Sequence, residues 1–245
     1  KHMEKISIIC VDLDGTLLEN DHATIPAENL RAIRRAAERG VQVVPATGRI
    51  LARVPQAVRA IPQIRYAITI NGAEVIDLRG GAPLYAAYLP AETVLSLVAW
   101  AQARDLMPEV YQDDHMLIER ADLERLSRTG IEREHLEYLR ERETPLDDLP
   151  AYLRAHPQRL SKINLPFFDT QEHRFAARDA LAALPGNLQL ATSMDHNVEI
   201  NAPGATKGAA VQALCRALGC STGEVMAIGD GDNDRELLLA AGHPV

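Results

Sequence analysis

The sequence Asp12-Leu13-Asp14-Gly15-Thr16 directly follows the apolar run Ile6-Ser7-Ile8-Ile9-Cys10-Val11, which predicts a buried β-strand. Side chains two residues apart in an extended segment point the same way, so Asp12 and Asp14 are expected on one side of the strand end. Two carboxylates that close repel each other unless a cation or a proton lies between them. The pattern indicates a metal site or a nucleophile beside an acid; an Asp-Gly turn with a second surface acid is the alternative.

The composition is that of a soluble globular protein with room for one long domain or two smaller ones. Of the 245 residues, 47% are hydrophobic and 24% are charged. The net charge of −8 argues against a nucleic-acid surface, but it is compatible with an anionic small substrate bound beside local positive charge. No apolar stretch reaches membrane-spanning length and no signal-peptide pattern opens the chain. We therefore expect neither nucleic acid nor membrane as a partner.

Three cysteines, Cys10, Cys215 and Cys220, form no CxxC pair. We interpret Cys10 and Cys215 as buried thiols, which fits a reducing cytoplasm better than a disulfide framework or a zinc site. Lys1-His2-Met3 is interpreted as a cloning remnant outside the fold.

Strand and helix patterns alternate at short spacing at both ends of the chain, which favours parallel βαβ units. The predicted strands here follow one another as 6–11, 41–44, 66–70, 197–201 and 225–228. Helices are predicted to Arg39, from about Arg49 to Val58, over Lys207–Leu218 and to Ala241.

The rhythm changes from about Pro83, and the middle block predicts a separate α+β unit. It contains a predicted helix over 91–104, one or two strands within 109–118, strands over 160–165 and 188–191, and a helix over 171–184. The charged segment 119–154 is interpreted as a solvated helix face. The sequence thus predicts a discontinuous core domain, residues 1–83 and 192–245, with a domain of residues 84–191 inserted into it.

Three of the apolar strands end in small, polar or acidic clusters: Asp12–Thr16, Thr47–Arg49 and Gly229–Asp234. Ligands bind at the carboxyl ends of strands in open parallel sheets, so parallel pairing brings the clusters together. Taken singly, Thr47-Gly48-Arg49 is better explained as a helix N-cap with a turn glycine, whereas Lys207 is equally an exposed lysine or an anion-binding one. The acid density of Gly229–Asp234 favours a hard cation such as Mg²⁺ over a merely solvated turn.

These motifs, with Asn71-Gly72 and Lys207-Gly208, occur in the order and spacing of the haloacid dehalogenase superfamily. The chain resembles the Cof-like branch, phosphatases of sugar phosphates and related metabolites, over nearly its whole length. The resemblance implies an α/β fold: a Rossmann-like parallel-sheet core with an inserted α+β cap of the C2 type. Family members usually continue beyond Ala241-Gly242 with another strand and helix, so we expect this chain to be shortened at its C-terminal end, Val245.

The resemblance also implies a role for each motif residue. Asp12 is the expected nucleophile, forming an aspartyl-phosphate, and Asp14 is the expected acid and base. Mg²⁺ is expected on the Asp12 side chain, the Asp14 backbone carbonyl and Asp230, with Asp234 supporting the ligands. The residues expected to bind the phosphoryl group are Thr47, Gly48, Lys207, Asn233 and the Leu13 backbone. We expect Asp12 to help raise the pKa of Asp14, with the metal acting in the opposite direction.

The leading hypothesis is a Mg²⁺-dependent phosphatase of small phosphorylated metabolites. A phosphomutase or phosphotransferase using the same aspartyl-phosphate is the alternative enzyme, and a phosphate-binding regulatory protein is a third hypothesis. The substrate is open, and the oligomeric state is a monomer or a homodimer. Candidates for leaving-group contacts in the cap are Glu109, Tyr111, Asp113, His115 and Lys162, each of which is better explained as a structural or surface residue.

Overall fold

The computed structural model describes residues 5–129, 133–192 and 196–245. The predicted cloning remnant lies outside the described residues, as do positions 130–132 of the charged segment. In chain order the strands are β1 (Ile8–Val11), β2 (Gln42–Pro45), β3 (Tyr66–Thr69), β4 (Glu74–Asp77), β5 (Tyr85–Ala86), β6 (Glu109–Gln112), β7 (His115–Glu119), β8 (Glu143–Leu146), β9 (Leu160–Leu165), β10 (Gln189–Ala191), β11 (Val198–Asn201), β12 (Val225–Ile228) and β13 (His243–Pro244).

The α-helices, again in chain order, are α1 (Ala27–Glu38), α2 (Gln56–Arg59), α3 (Ala91–Gln102), α4 (Arg120–Leu126), α5 (Arg133–Arg142), α6 (Leu149–Ala155), α7 (Gln171–Ala182), α8 (Lys207–Leu218) and α9 (Arg235–Ala240). None of the helices within the described ranges is both long and apolar enough to cross a membrane. The chain divides into two compact units, residues 1–87 with 204–245 and residues 88–203.

The first unit is built on a parallel sheet in the order β13-β12-β1-β2. A single parallel bridge between Ala46 and Ile68 continues this sheet to β3, which then pairs antiparallel with β4. The central strands β1 and β12 are flanked on both sides, which explains their almost wholly apolar sequences. Their carboxyl ends lie at one edge, where the motif residues follow.

Alternate side chains of β1 enter two different apolar clusters, one on each face of the sheet. Ile8 and Cys10 pack with residues of α8 and α9, whereas Val11 packs with residues of α1 and α2. The unit therefore has three layers, helix, sheet and helix. Both Cys10 and Cys215 are buried free thiols, as predicted.

The second unit contains a mixed six-stranded sheet in the order β10-β11-β9-β6-β7-β8. Most of its pairs are antiparallel, and only β7 and β8 pair in parallel. Two features differ from the sequence prediction. The strand β11, which the predicted boundary at 191/192 places in the core domain, hydrogen-bonds to β9 and β10 in this sheet. The charged segment contains β8 as well as helices, because the four residues Glu143–Leu146 add an edge strand beside β7.

One predicted helix of the first unit is much shorter than expected. Residues after Arg49 form a single 3₁₀ turn, Leu51–Arg53, and α2 begins only at Gln56. Pro55 separates the two, because the residue before a proline is sterically kept out of the helical region and Val54 is extended.

Candidate active site

Asp12 lies just beyond the end of β1 and is held in an extended conformation by its backbone N–H, which donates to the Ile228 carbonyl of β12. Its side chain is 9% exposed and accepts a 2.6 Å hydrogen bond from Nζ of Lys207. Burial raises the pKa of Asp12 to about 6, while the Lys207 charge opposes this shift and Asp234 adds to it. The pair places a carboxylate oxygen next to a fixed positive charge.

Lys207 is the first residue of α8, where a cation is disfavoured by the helix dipole. It is fully buried and bridges two acids: its Nζ also lies 2.5 Å from Oδ1 of Asp234. Thr206 caps the helix by accepting from the Ala209 N–H, which fixes the backbone from which the lysine projects. Two ion pairs thus outweigh an unfavourable helix position, and the exposed-surface alternative for Lys207 is excluded.

Asp234 stabilises the acidic loop after β12 through hydrogen bonds to the loop backbone. Its Oδ2 accepts from the backbone N–H groups of Asp230 and Gly231, at 3.2 and 3.0 Å, and its Oδ1 binds Lys207. A Cβ added to Gly229 would lie 2.5 Å from the Asp234 carboxyl carbon, so a glycine is required there. Asp234 is completely buried and both of its oxygens are occupied.

Asp230, in the same loop, is exposed, whereas Asp234 is buried. Its Oδ1 accepts a 2.9 Å hydrogen bond from the Thr16 hydroxyl, and its Oδ2 lies close to the backbone of Gly15. Gly15 has φ +81°, and an added Cβ would come within 2.4 Å of Oδ2. The turn after Asp12 therefore approaches the acidic loop through a glycine with a left-handed backbone.

Three carboxylate oxygens, one each from Asp12, Asp230 and Asp234, lie within 4.8 Å of one another. Oxygen donors of this kind suit a hard divalent cation with several waters. The donor set fits a metal best through Asp12 and Asp230, since both Asp234 oxygens already accept hydrogen bonds from Lys207 and the loop backbone. The structure thus contains an acidic cluster with the chemistry of a metal site.

The Asp14 carboxylate has different partners from that of Asp12. Arg49 binds it with two donors, Nε to Oδ2 at 2.9 Å and Nη2 to Oδ1, and His22 Nδ1 lies 2.8 Å from Oδ1. Partial burial acts to raise the pKa of Asp14, but the hydrogen bonds and charge of Arg49, followed by those of His22, outweigh it and hold the pKa below its usual range. The expected upward shift is therefore wrong for this arrangement: the cationic partners dominate, and the neighbouring Asp12 is neutralised by Lys207.

Thr47, Gly48, Asn71 and Asn233 form a second polar group at the same sheet edge. The Thr47 N–H donates to Ile68 and its carbonyl accepts from Asn71, so the ends of β2 and β3 are linked. Asn233 donates a 3.3 Å hydrogen bond to Asn71 Oδ1, and a Cβ on Gly48 would lie 2.7 Å from that same oxygen. Asn71 has φ +56°, a left-handed conformation that asparagine tolerates better than most residues.

The sequence model of the haloacid dehalogenase-like hydrolase family matches residues 9–245. The chain belongs to this family. It is 31% identical over 240 residues to an HMP-PP phosphatase of Serratia proteamaculans, covering 96% of this chain and 81% of that protein. It is 25% identical over 262 residues to phosphatase YwpJ of Bacillus subtilis, covering 98% of this chain and 88% of that protein.

A solved structure of a haloacid dehalogenase-like hydrolase from B. subtilis has the same fold. It superposes with a TM-score of 0.79 at 25% identity, covering 98% of this chain and 88% of that one. The predicted superfamily, the α/β fold and the assignment as a hydrolase are confirmed.

Sequence reasoning gave no role to three side chains that this haloacid dehalogenase-like site contains. Arg49 belongs to the motif Thr47–Arg49, but the motif does not reveal its contact with Asp14. The contacts of Thr16 with Asp230 and of His22 with Asp14 depend on how the chain turns after β1. Leu13 is fully buried in the core, so only its backbone is available to a ligand, as its predicted role requires.

Four of the cap candidates for leaving-group contacts, Glu109, Tyr111, Asp113 and Lys162, have partners within the second unit. Lys162 is buried, with Nζ 2.7 Å from Glu199 and 4.3 Å from the Tyr111 ring centroid. Glu109 is also buried and accepts a 2.8 Å hydrogen bond from Asn164. Of the remaining two, Asp113 pairs with Arg159 at 2.6 Å, and His115 is exposed. These contacts support the structural interpretation of Glu109 and Lys162.

Proposed function

We propose that the protein is a Mg²⁺-dependent phosphatase that hydrolyses small phosphomonoesters through an aspartyl-phosphate on Asp12. The observation that carries the proposal is the buried Asp12–Lys207–Asp234 arrangement beside Asp230. Attack by a carboxylate on a phosphate dianion is opposed by charge repulsion, and a fixed lysine beside the attacking oxygen lowers that repulsion. The phosphatase names of the relatives support the same reaction class.

In the first step, a carboxylate oxygen of Asp12 attacks phosphorus and the bond to the leaving oxygen breaks. The leaving oxygen takes a proton from Asp14, so the products are an alcohol and the aspartyl-phosphate. In the second step, water attacks phosphorus and gives a proton to the Asp14 carboxylate, which releases inorganic phosphate and restores Asp12. Splitting one displacement into two in this way is the advantage of covalent catalysis.

Asp14 must hold a proton when the leaving oxygen departs, although the hydrogen bonds and charges of Arg49 and His22 lower its pKa. A bound phosphomonoester brings negative charge next to Asp14, which favours its protonation. The same phosphoryl group attracts Arg49, whose guanidinium suits both carboxylate and phosphate oxygens. We infer that substrate binding itself prepares Asp14 as the acid.

We assign Mg²⁺ to the Asp12 side chain, the Asp14 backbone carbonyl and Asp230, with Asp234 supporting the loop. The ion would neutralise charge on the phosphoryl oxygens. We assign phosphoryl binding to Lys207, Thr47, Asn233 and the backbone at Leu13 and Gly48. Lys207 opens α8, and the other four residues follow the neighbouring strands β1, β2 and β12. Because hydroxyl, amide and backbone N–H groups accompany the lysine here, both charge and hydrogen bonding are supplied.

We propose that the second unit carries the residues that select the substrate, with small phosphorylated metabolites as the substrate class. The name of the Serratia relative makes HMP-PP one of the first compounds to test, and the resemblance to the Cof-like branch adds sugar phosphates. The free thiols of Cys10, Cys215 and Cys220 support a reducing, cytoplasmic location.

A panel of phosphorylated metabolites, assayed for released phosphate with and without Mg²⁺, tests the proposal. We expect Mg²⁺-dependent release that is abolished in Asp12→Asn, a change that keeps the side chain's size but removes the nucleophile. Phosphate release by Asp12→Asn at the wild-type rate would contradict the assignment. Conversion of a sugar phosphate to an isomer without free phosphate would instead establish the phosphomutase alternative.

A further inference from the structure

The loop after the Asp12 motif is built around a histidine that contacts the proposed acid. The turn Glu19–Thr24 is closed by two backbone hydrogen bonds, Glu19 N–H to Thr24 O and His22 N–H to Glu19 O, both 2.9 Å. Asp21 reinforces it by accepting from the Ala23 and Thr24 N–H groups and from the Thr24 hydroxyl. The conformation of this exposed turn is thus fixed by its own hydrogen bonds.

His22 occupies the left-handed position of that turn, with φ +56°. Glycine accommodates this backbone at lowest energy, and histidine is one of several residues that tolerate it, so the backbone permits the imidazole without requiring it. Its side chain is 65% exposed and contributes little to a core. What the imidazole does contact is the Asp14 carboxylate, at 2.8 Å, which indicates that the position serves its side chain.

The contact closes a three-residue arrangement. Arg49 binds both oxygens of Asp14, and its Nη2 also donates a 3.2 Å hydrogen bond to the His22 carbonyl. Arg49 is further held by donating to the Arg53 carbonyl at 3.1 Å. Because Asp14 is a carboxylate here, the Nδ1 of His22 donates, and Asp14 is fixed from two directions.

We propose that His22 is a positioning residue that orients the Asp14 carboxyl group toward the leaving oxygen. This inference rests on the proposed function, since Asp14 is the proposed acid. When substrate draws Arg49 toward the phosphoryl group, His22 is the contact that still fixes the rotation of Asp14. Geometry matters for this step, because proton transfer needs the acid within hydrogen-bond distance of the oxygen it protonates.

The test compares two esters that differ in their need for an acid. The alkyl ester is the sugar phosphate that wild-type protein turns over fastest, and the aryl ester is p-nitrophenyl phosphate, whose phenolate leaves without protonation. His22→Gly keeps the left-handed backbone and removes the imidazole. We expect the ratio of alkyl to aryl kcat/KM, which reports the first step alone, to fall about tenfold, part of the roughly 10²–10⁴ that an acid supplies, with KM for the alkyl ester little changed.

Two further variants make the comparison specific. His22→Asn keeps the left-handed backbone and a side-chain donor, so it is expected to restore part of the ratio. Asn20→Ala changes an exposed residue of the same turn and is expected to leave the ratio at its wild-type value. Thermal unfolding of each variant shows whether the fold is retained.

The results separate this inference from the proposed function. Equal losses of kcat/KM on both esters, or no change in the ratio in folded His22→Gly, would overturn the positioning role while Asp12-dependent hydrolysis stands. No Asp12-dependent hydrolysis of either ester by wild-type protein would overturn the proposed function and the positioning role with it.

Discussion

Replacing Lys207 by methionine removes the positive charge from the centre of the site while keeping the length of the side chain. Lys207 is fully buried and lies 2.6 Å from Asp12 and 2.5 Å from Asp234, so the change leaves two buried carboxylates facing each other. Breaking a buried ion pair by removing one partner costs about 3–5 kcal/mol. For a chain of this size we expect the melting temperature to fall by about 10 °C.

The site should then respond more strongly to a divalent cation. Loss of the lysine leaves more negative charge around Asp12 and Asp230, which strengthens binding of Mg²⁺. Free Mg²⁺ at about 100 times its Kd stabilises the bound protein by about 2.7 kcal/mol. The difference in melting temperature between wild-type protein and Lys207→Met is therefore expected to become smaller as Mg²⁺ is added.

Lys162→Met is the matched control, because Lys162 is also buried and also paired with a carboxylate, that of Glu199 at 2.7 Å. Lys162→Met is also expected to lower the melting temperature. Its difference in melting temperature from wild type should stay the same when Mg²⁺ is added. A loss below about 1 kcal/mol in Lys207→Met, or the same Mg²⁺ response in both variants, would refute the reasoning.

Three further predictions concern a backbone approach, a buried acid and the metal. Gly72→Ala places a Cβ 2.2 Å from the backbone preceding α8, so in urea unfolding it should lower the free energy of unfolding by well over the ~1–3 kcal/mol of left-handed strain alone. Gly80 has a similar φ but open space around it, so Gly80→Ala should show only that strain. Burial raises the pKa of Glu109 to about 7, so its contribution to the free energy of unfolding is fully present below pH 4.5 and is lost as the pH rises through 7. Glu109→Gln should remove about 3 kcal/mol of this pH dependence. An unchanged dependence of the free energy of unfolding on pH in Glu109→Gln would contradict the shift. Asp230→Asn should raise the Mg²⁺ concentration for half-maximal phosphatase activity at least about tenfold, because it removes a proposed ligand, while the exposed neighbour in Asp232→Asn should not.

The first unit was predicted well because the signals that define its strands and helices lie within a few residues of one another in the sequence. Apolar runs of four residues ending in Asp or Gly identify β1 and β12 as buried parallel strands, and the capping Thr206 marks the start of α8. Parallel pairing then brings the ends of these strands to one edge without any knowledge of side-chain contacts.

Sheet membership in the second unit was predicted less well, for a physical reason. Val198–Asn201 has the pattern of a strand, but the choice of β9 and β10 as partners depends on contacts distant in sequence. β8, Glu-Thr-Pro-Leu, lacks alternation and includes a proline, which is tolerated because the strand lies at the sheet edge.

In the site, the motif residues were predictable and their ion pairs were not. Spacing indicates that Asp12 and Asp14 are close, but it does not reveal that Lys207 binds the first and Arg49 the second. Pairing with Arg49 is what shifts the pKa of Asp14 downward. The pairing follows from the turn at Gly15, which places the carboxyl groups of Asp12 and Asp14 next to different partners.

The most direct test of the central claim is the mass of the protein trapped during turnover. Wild-type protein is mixed with Mg²⁺ and p-nitrophenyl phosphate, quenched in acid and digested, and the peptide that contains Asp12 is sequenced by mass spectrometry. We predict the added mass of one phosphoryl group on Asp12, lost after treatment with hydroxylamine. Steady turnover with an unmodified Asp12, or with the phosphoryl group on another residue, would contradict the account.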